Sequence, residues 1–124
     1  MTIEEKIKQI LSQYEQVKFA YIFGSYAKKS DTSRSDIDIA LYFTQDADIF
    51  DLKLEIHHAL EIKLLKEIDL IVLNSVKNFD LLEDILNDGI VLKDSNDDAR
   101  LMFELYKEHE IKDYKVFQKA LNVA

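Results

Sequence analysis

Two strand patterns hinged on a Gly-Ser pair, between Val17 and Phe43, constrain this 124-residue chain more than any other stretch. Val17-Lys18-Phe19-Ala20-Tyr21-Ile22-Phe23 is β-branched and aromatic, and reads as a strand. It stops at Gly24, one of only two glycines in the chain. Ser25 then opens what reads as a short helical stretch, Tyr26-Ala27-Lys28-Lys29. A helix start after a tight turn offers unpaired backbone N–H groups and a positive dipole end, which suits an anion such as a triphosphate. Glycine lets the backbone approach such a ligand closely, and the serine hydroxyl adds a donor.

Ten residues further on, Asp36-Ile37-Asp38-Ile39-Ala40-Leu41-Tyr42-Phe43 alternates with a period of two. One face carries Asp36, Asp38, Ala40 and Tyr42, and the other carries Ile37, Ile39, Leu41 and Phe43. Aspartate is disfavoured in strands, and two on one face repel each other unless a cation lies between them. A merely solvated strand face would more readily use Thr, Lys or Glu. Hard oxygen ligands of this kind suit Mg²⁺, which takes one or two carboxylates together with substrate phosphates.

A third acid follows in Lys66-Glu67-Ile68-Asp69-Leu70-Ile71-Val72-Leu73, which reads as a strand buried for most of its length. Asp69 stands inside that apolar run, where an unpaired charge would be costly. If this strand lies beside 36–43, Asp69 reaches the same site and makes a three-acid, two-metal centre. The bland alternative is an acid at a strand start, satisfied by a neighbouring lysine. Glu67 shares the face of Asp69 and is the fallback candidate.

The remaining pattern predicts an α/β fold with a small mixed sheet covered by helices, in the order αβαβαβαβα. Thr2 with Glu5 makes a capping box for a helix over about 3–15. Further helices are expected over about 49–64 and 79–87, the latter capped by Asn78 and stopped at Gly89. Ile90-Val91-Leu92 reads as a short strand, and Ser95 or Asn96 as the cap of a long last helix that breaks after Glu108. Neither linker, repeat nor low-complexity tract divides residues 1–124, so one domain is expected.

Composition narrows the chemistry. With no cysteine, a disulfide framework, a zinc–cysteine site and thiol catalysis are all excluded. The amphipathic, acidic start Thr2-Ile3-Glu4-Glu5-Lys6-Ile7 is unlike a signal peptide, and the apolar runs fall short of membrane-spanning length, so a cytoplasmic protein is expected. A net charge of −8 argues against broad binding to nucleic acid backbones and suits a basic protein partner.

Phe23-Gly24-Ser25-Tyr26-Ala27, the Asp36-x-Asp38 pair within Ser35–Leu41, and the later strand acid Asp69 together resemble the DNA polymerase β-like nucleotidyltransferase superfamily. The compact length is similar to its minimal nucleotidyltransferases (MNT), and the local sequence resembles the MNT antitoxins encoded beside HEPN-domain ribonuclease toxins. The resemblance implies the polymerase β-like fold, ATP as substrate and two Mg²⁺ ions held by Asp36, Asp38 and Asp69. It implies phosphate contacts from Gly24 and Ser25, and Arg34, which flanks that loop in the sequence, reads as a phosphate contact or a solvated charge. It also implies transfer of AMP to a tyrosine of a HEPN toxin, with which the chain would form a hetero-oligomer. Two alternatives stand beside it: a nucleotidyltransferase acting on a small molecule such as an aminoglycoside, and an antitoxin that neutralises by binding alone.

Other residues read more plainly. Adjacent His57 and His58 point in different directions on a helix and read as surface histidines. Lys28 and Lys29 flank the Gly-Ser turn as solvated charges or phosphate contacts. Tyr106, Tyr114 and Phe117 suit helix packing or an aromatic partner surface. The ten-residue stretch from Arg100 to His109 has the wrong spacing for the Arg-x4–6-His element of HEPN ribonucleases.

Overall fold

A computed structural model describes residues 1–32 and 35–122. Its elements run α1 (Ile3–Leu11), β1 (Val17–Phe23), β2 (Ile37–Phe43), α2 (Ile49–Leu64), β3 (Ile68–Val72), α3 (Phe79–Asp88), β4 (Ile90–Asp94) and α4 (Ala99–Leu121). The four strands form one mixed sheet in the order β3-β2-β1-β4. β1 is antiparallel to both β2 and β4, and β2 is parallel to β3. The α/β class expected from the pattern is the class observed.

The period of two in β2 divides the molecule into two cores. Ile37, Ile39, Leu41 and Phe43 join Ile7 and Leu11 of α1 and Ile56 and Leu60 of α2 on one side of the sheet. On the other side Ala40 and Tyr42 meet Phe19 and Tyr21 of β1, Leu82 and Ile85 of α3, and Ile111 and Phe103 of α4. A bulge between Val17 and Phe19 shifts the parity of β1, so that Phe19, Tyr21 and Phe23 all face this second core. Phe19 stacks on Tyr42 with ring centroids 4.7 Å apart.

Helix ends depart from the expected positions where distant residues intervene. α1 stops at Leu11 rather than near residue 15. Lys93 of β4 explains this: its ammonium donates to the carbonyls of Leu11 (3.2 Å) and Tyr14 (2.6 Å), the first of which a longer helix would have used internally. Thr2 caps the start as expected, its hydroxyl accepting from the Glu5 N–H at 3.1 Å. α3 begins at its Asn78 cap, 3.1 Å from the Leu81 N–H, and stops at Gly89.

α4 is one helix of 23 residues, not two segments, and it is capped by neither Ser95 nor Asn96. The Asp97 carboxylate accepts from the Ala99 N–H at 3.2 Å and is held by Lys18 at 2.6 Å. Asn96 and Asp98 both turn through positive φ to start the helix. Past Glu108 the helix is continued by contacts with α3: Tyr114 packs on Phe79 at 4.8 Å, and Lys115 pairs with Glu83.

Tyr21 ties the second core to α4. It is 2% exposed, and its hydroxyl donates to Glu104 at 2.6 Å, with Arg100 bridging Glu104 and Asp94 at 2.8 Å each. Burial together with the Glu104 carboxylate raises the proton affinity of this phenol well above the ordinary range. Tyr21→Phe should lower unfolding free energy by about 1–2 kcal/mol, the worth of one hydrogen bond to a charged group. Urea denaturation should show a lower midpoint at an unchanged slope.

Candidate active site

The parallel pairing of β2 with β3 sets the site. Its register places Asp38 directly opposite Asp69, with Ile37 opposite Ile68 and Ile39 opposite Leu70. Residues paired in this way project to the same side of the sheet, the side of Ala40, Ile71 and Leu73. Asp36 stands two residues before Asp38, immediately ahead of the strand, and is exposed. The structure thus brings Asp38 and Asp69 together on one face, with Asp36 beside them.

Asp69 differs from expectation in its surroundings. β3 is an edge strand, and Asp69 is exposed on it rather than enclosed in a buried run. Its charge therefore needs no partner to offset burial. Glu67 lies before the strand and contributes its backbone carbonyl to the Ile37 N–H at 3.0 Å, while its side chain remains exposed.

The Gly24 turn closes the other side. β1 and β2 pair antiparallel with Phe23 opposite Asp38, so the residue after the strand meets the Asp38 side chain. Gly24 has φ +70°, and a Cβ placed on it would lie 2.3 Å from Asp38 Oδ2. Only glycine allows this backbone and this carboxylate to share the space. Residues 24–29 form hydrogen-bonded turns, not the short helix expected from Tyr-Ala-Lys-Lys. The Lys28 N–H reaches the Gly24 carbonyl at 3.1 Å, and Lys29 then turns through φ +56°, which ends any helical run. An anion at this turn would therefore meet backbone N–H groups and the Ser25 hydroxyl, without a helix dipole.

Two neighbours hold this frame. Lys28 is turned away to α3, 3.0 Å from Asp84 and 3.8 Å from Asp88, so it anchors the turn rather than standing free for phosphate. His57 is not the plain surface residue its sequence suggested. Its Nε2 lies 2.7 Å from the Ile68 carbonyl, which can only accept, so the imidazole donates, while Nδ1 lies 3.2 Å from Glu61. That bond fastens α2 to β3 at the residue before Asp69. A histidine on a helix leading into a strand was the only hint of it in the sequence. Arg34 lies outside the described residues.

The electrostatics centre on Asp38. Partial burial, then Asp69, then Asp36 raise its proton affinity above the ordinary carboxylate range. Among the described residues, no three acids or histidines are drawn together into a closed ligand cage. The donor set fits a hard divalent ion: carboxylate oxygens only, crowded enough to perturb one another, against a turn whose missing Cβ leaves one face of Asp38 open.

A cavity lies elsewhere on the same sheet side. A groove of 740 Å³ runs between the C-terminal ends of β2 and β3 and the first turns of α4, with Tyr42, Leu73, Asn74, Met102 and Tyr106 among its walls. The acids occupy the N-terminal ends of those strands.

The match to the Polymerase beta, Nucleotidyltransferase family spans residues 5–98, which include the sheet, the Gly-Ser turn and the strand acids. The chain belongs to the polymerase beta nucleotidyltransferase family and is an enzyme of that class. Among its relatives is a Methanocaldococcus jannaschii protein named as a candidate protein adenylyltransferase, 40% identical over 89 residues that cover 71% of this chain and 91% of the relative. A second of that name and organism is 38% identical over 79 residues, covering 61% and 76%. A chain from a toxin–antitoxin complex solved with AMP-PNP superposes with a TM-score of 0.79 at 25% identity, over 95% of this chain and 94% of its own. The complex of tri-AMPylated Shewanella oneidensis HEPN toxin with MNT antitoxin shares the fold, with a TM-score of 0.73 at 24% identity over 96% and 92%. No helix among the described residues is long and apolar enough to cross a membrane.

Proposed function

We propose that this chain is a magnesium-dependent adenylyltransferase that moves AMP from ATP to a tyrosine hydroxyl of a HEPN-type ribonuclease toxin, neutralising it in the cytoplasm. Residues 1–124 act as one minimal nucleotidyltransferase domain in this reading. The observation that carries it is the register that sets Asp38 opposite Asp69 while Gly24 packs against the Asp38 carboxylate. The adenylyltransferase name of a relative 40% identical supports a protein acceptor, and the neighbour solved with AMP-PNP supports ATP and a toxin partner.

Asp36 and Asp38 would hold two Mg²⁺ ions, and Asp69 would share the one serving the acceptor. Bound there, the ions neutralise phosphate charge and make the acceptor hydroxyl more acidic. The backbone N–H groups of the Gly24–Ser25 turn and the Ser25 hydroxyl hold the β- and γ-phosphates, and Arg34 adds a phosphate contact by its place in the sequence. The acceptor oxygen forms its bond to the α-phosphorus as the bond to the β-phosphate bridging oxygen breaks. Asp69 takes up the hydroxyl proton, and pyrophosphate leaves.

Asp69→Asn tests the assignment, since it keeps shape and removes one charge. ATP with Mg²⁺ should still raise the melting temperature of this variant through the turn, Asp36 and Asp38. Transfer of labelled AMP to a purified HEPN partner should fall by about 10²-fold or more, the usual loss with a proton acceptor or metal ligand. Full transfer by the variant would remove Asp69 from the chemistry. Label appearing only on a small metabolite would replace the protein acceptor with a small-molecule one.

A further inference from the structure

α4 carries apolar residues on both of its sides, and the fold covers one of them. The inner side sets Phe103 and Ile111 into the second core and Tyr114 against Phe79. On the outer side Leu101, Met102, Leu105 and Tyr106 form an exposed apolar patch, and Val116, Phe117 and Leu121 form another. At 100° per residue Leu101, Met102, Leu105, Tyr106 and Val116 fall on a stripe within an arc of about 140°, interrupted by a polar turn at His109, Lys112 and Asp113, while Phe117 and Leu121 curve toward the side of Phe103. Residues spaced like Met102, Leu105 and Val116 make the seam of a helix that packs on another helix, whereas a solvated outer face would be charged.

The size of the stripe says what could cover it. Its side chains are 51–69% exposed. Taking roughly 150–200 Å² for each fully exposed side chain of this bulk, the five on the outer arc present on the order of 500 Å², in two parts separated by the polar turn. Soluble monomers rarely leave contiguous apolar patches beyond a few hundred Å². One side of a standard protein–protein interface buries about 800 Å². The 740 Å³ groove adjoins the first patch, since Met102 and Tyr106 belong to both.

The place of α4 among related chains points to the occupant. The family match ends at Asp98, the residue before the helix. The toxin–antitoxin neighbour covers 95% of this chain, which necessarily includes most of α4. The helix is thus supplementary to the shared catalytic core and has a counterpart in a chain solved with its partner.

We propose that the outer face of α4 is the docking surface for a helical protein, which lays an apolar helix along the stripe and inserts an anchor side chain into the groove beside Met102 and Tyr106. This rests on the proposed function for the partner's class, a HEPN-type protein that accepts AMP. The fold then has two separate duties: the strand acids perform transfer, and α4 holds the acceptor protein.

The test pairs the chain with a purified HEPN protein, and measures association by calorimetry and mass by sedimentation. Leu105→Asp and Val116→Asp each place a charge in one patch at an exposed site, and Leu54→Asp on α2, 58% exposed, is the control. Circular dichroism and the ATP–Mg²⁺ melting shift report whether each variant folds and keeps its nucleotide site. Either α4 variant should weaken association by about 30-fold or more, the effect of losing an interface anchor, with Leu54→Asp near wild type. Undiminished association of both α4 variants would overturn this surface and leave the proposed function standing. Self-association of the chain through α4, without binding the HEPN protein, would overturn the partner's class. A monomer that binds nothing would overturn both.

Discussion

Asp38→Asn should abolish transfer and at the same time steady the metal-free protein. Asp38 is the acid that faces Asp69 across the sheet, stands two residues from Asp36 and touches the Gly24 turn. Removing its charge takes a ligand from each proposed ion position, so transfer should fall by about 10³-fold, and the melting shift with ATP and Mg²⁺ should vanish. The stability effect has the opposite sign. The folded state binds the Asp38 proton more tightly than the unfolded chain does, because burial, Asp69 and Asp36 all oppose its ionisation. Metal-free stability therefore falls as pH rises from the ordinary aspartate range through the raised folded value. The Asp38→Asn variant lacks that fall, so at neutral pH and without metal it should melt above wild type. A variant that melts lower without metal would show that Asp38 is held by attraction rather than crowded by repulsion.

Gly24→Ala should be nearly as damaging, by a different route. The substitution forces a Cβ to within 2.3 Å of Asp38 Oδ2 at a backbone φ of +70°. An alanine in the left-handed region costs roughly 1–2 kcal/mol before any clash. The carboxylate must then swing away, or the turn must open, and either change separates phosphate contacts from metal ligands. Transfer should drop by about 10²-fold, as expected when a reacting group is displaced by an ångström. Gly24→Ala should also melt lower, in contrast to Asp38→Asn, and the affinity for ATP should weaken along with turnover. Calorimetric unfolding beside an ATP titration separates the two variants; retained affinity in Gly24→Ala would mean that the turn does not contact the nucleotide.

Much of this arrangement was legible in the residues. The alternation of 36–43 announced which side chains share a face, because the pleat enforces it locally. Asn78 and Gly89 bounded α3 because capping is also local chemistry. What escaped was set by contacts distant in sequence. The exposure of Asp69 follows from strand order, and no strand reports its own place in a sheet. α1 ends early because Lys93, 82 residues away, takes its carbonyl. Tyr26-Ala27-Lys28-Lys29 favours helix by composition, but the turn is pulled to α3 through Lys28. The run Ser95-Asn96-Asp97-Asp98 offers four competent capping residues, so local preference could not choose among them.

The parallel pairing that aligns Asp38 with Asp69 also makes the enzyme's tolerance of insertions a matter of odd and even. Ile37 N–H on the Glu67 carbonyl and His57 on the Ile68 carbonyl lock β3 at one step of a two-step ladder. One residue added between Leu64 and Ile68 would have to bulge out, or it would rotate Asp69 to the opposite side of the sheet and bring an apolar neighbour into the cleft. Drift in this connection is therefore all-or-none, whereas the turn at 44–48, on the far side of α2, can lengthen without moving an acid. A lineage carrying this fold can lengthen the connection before β3 only where the added residue loops out ahead of Ile68 and leaves the register of β3 unchanged.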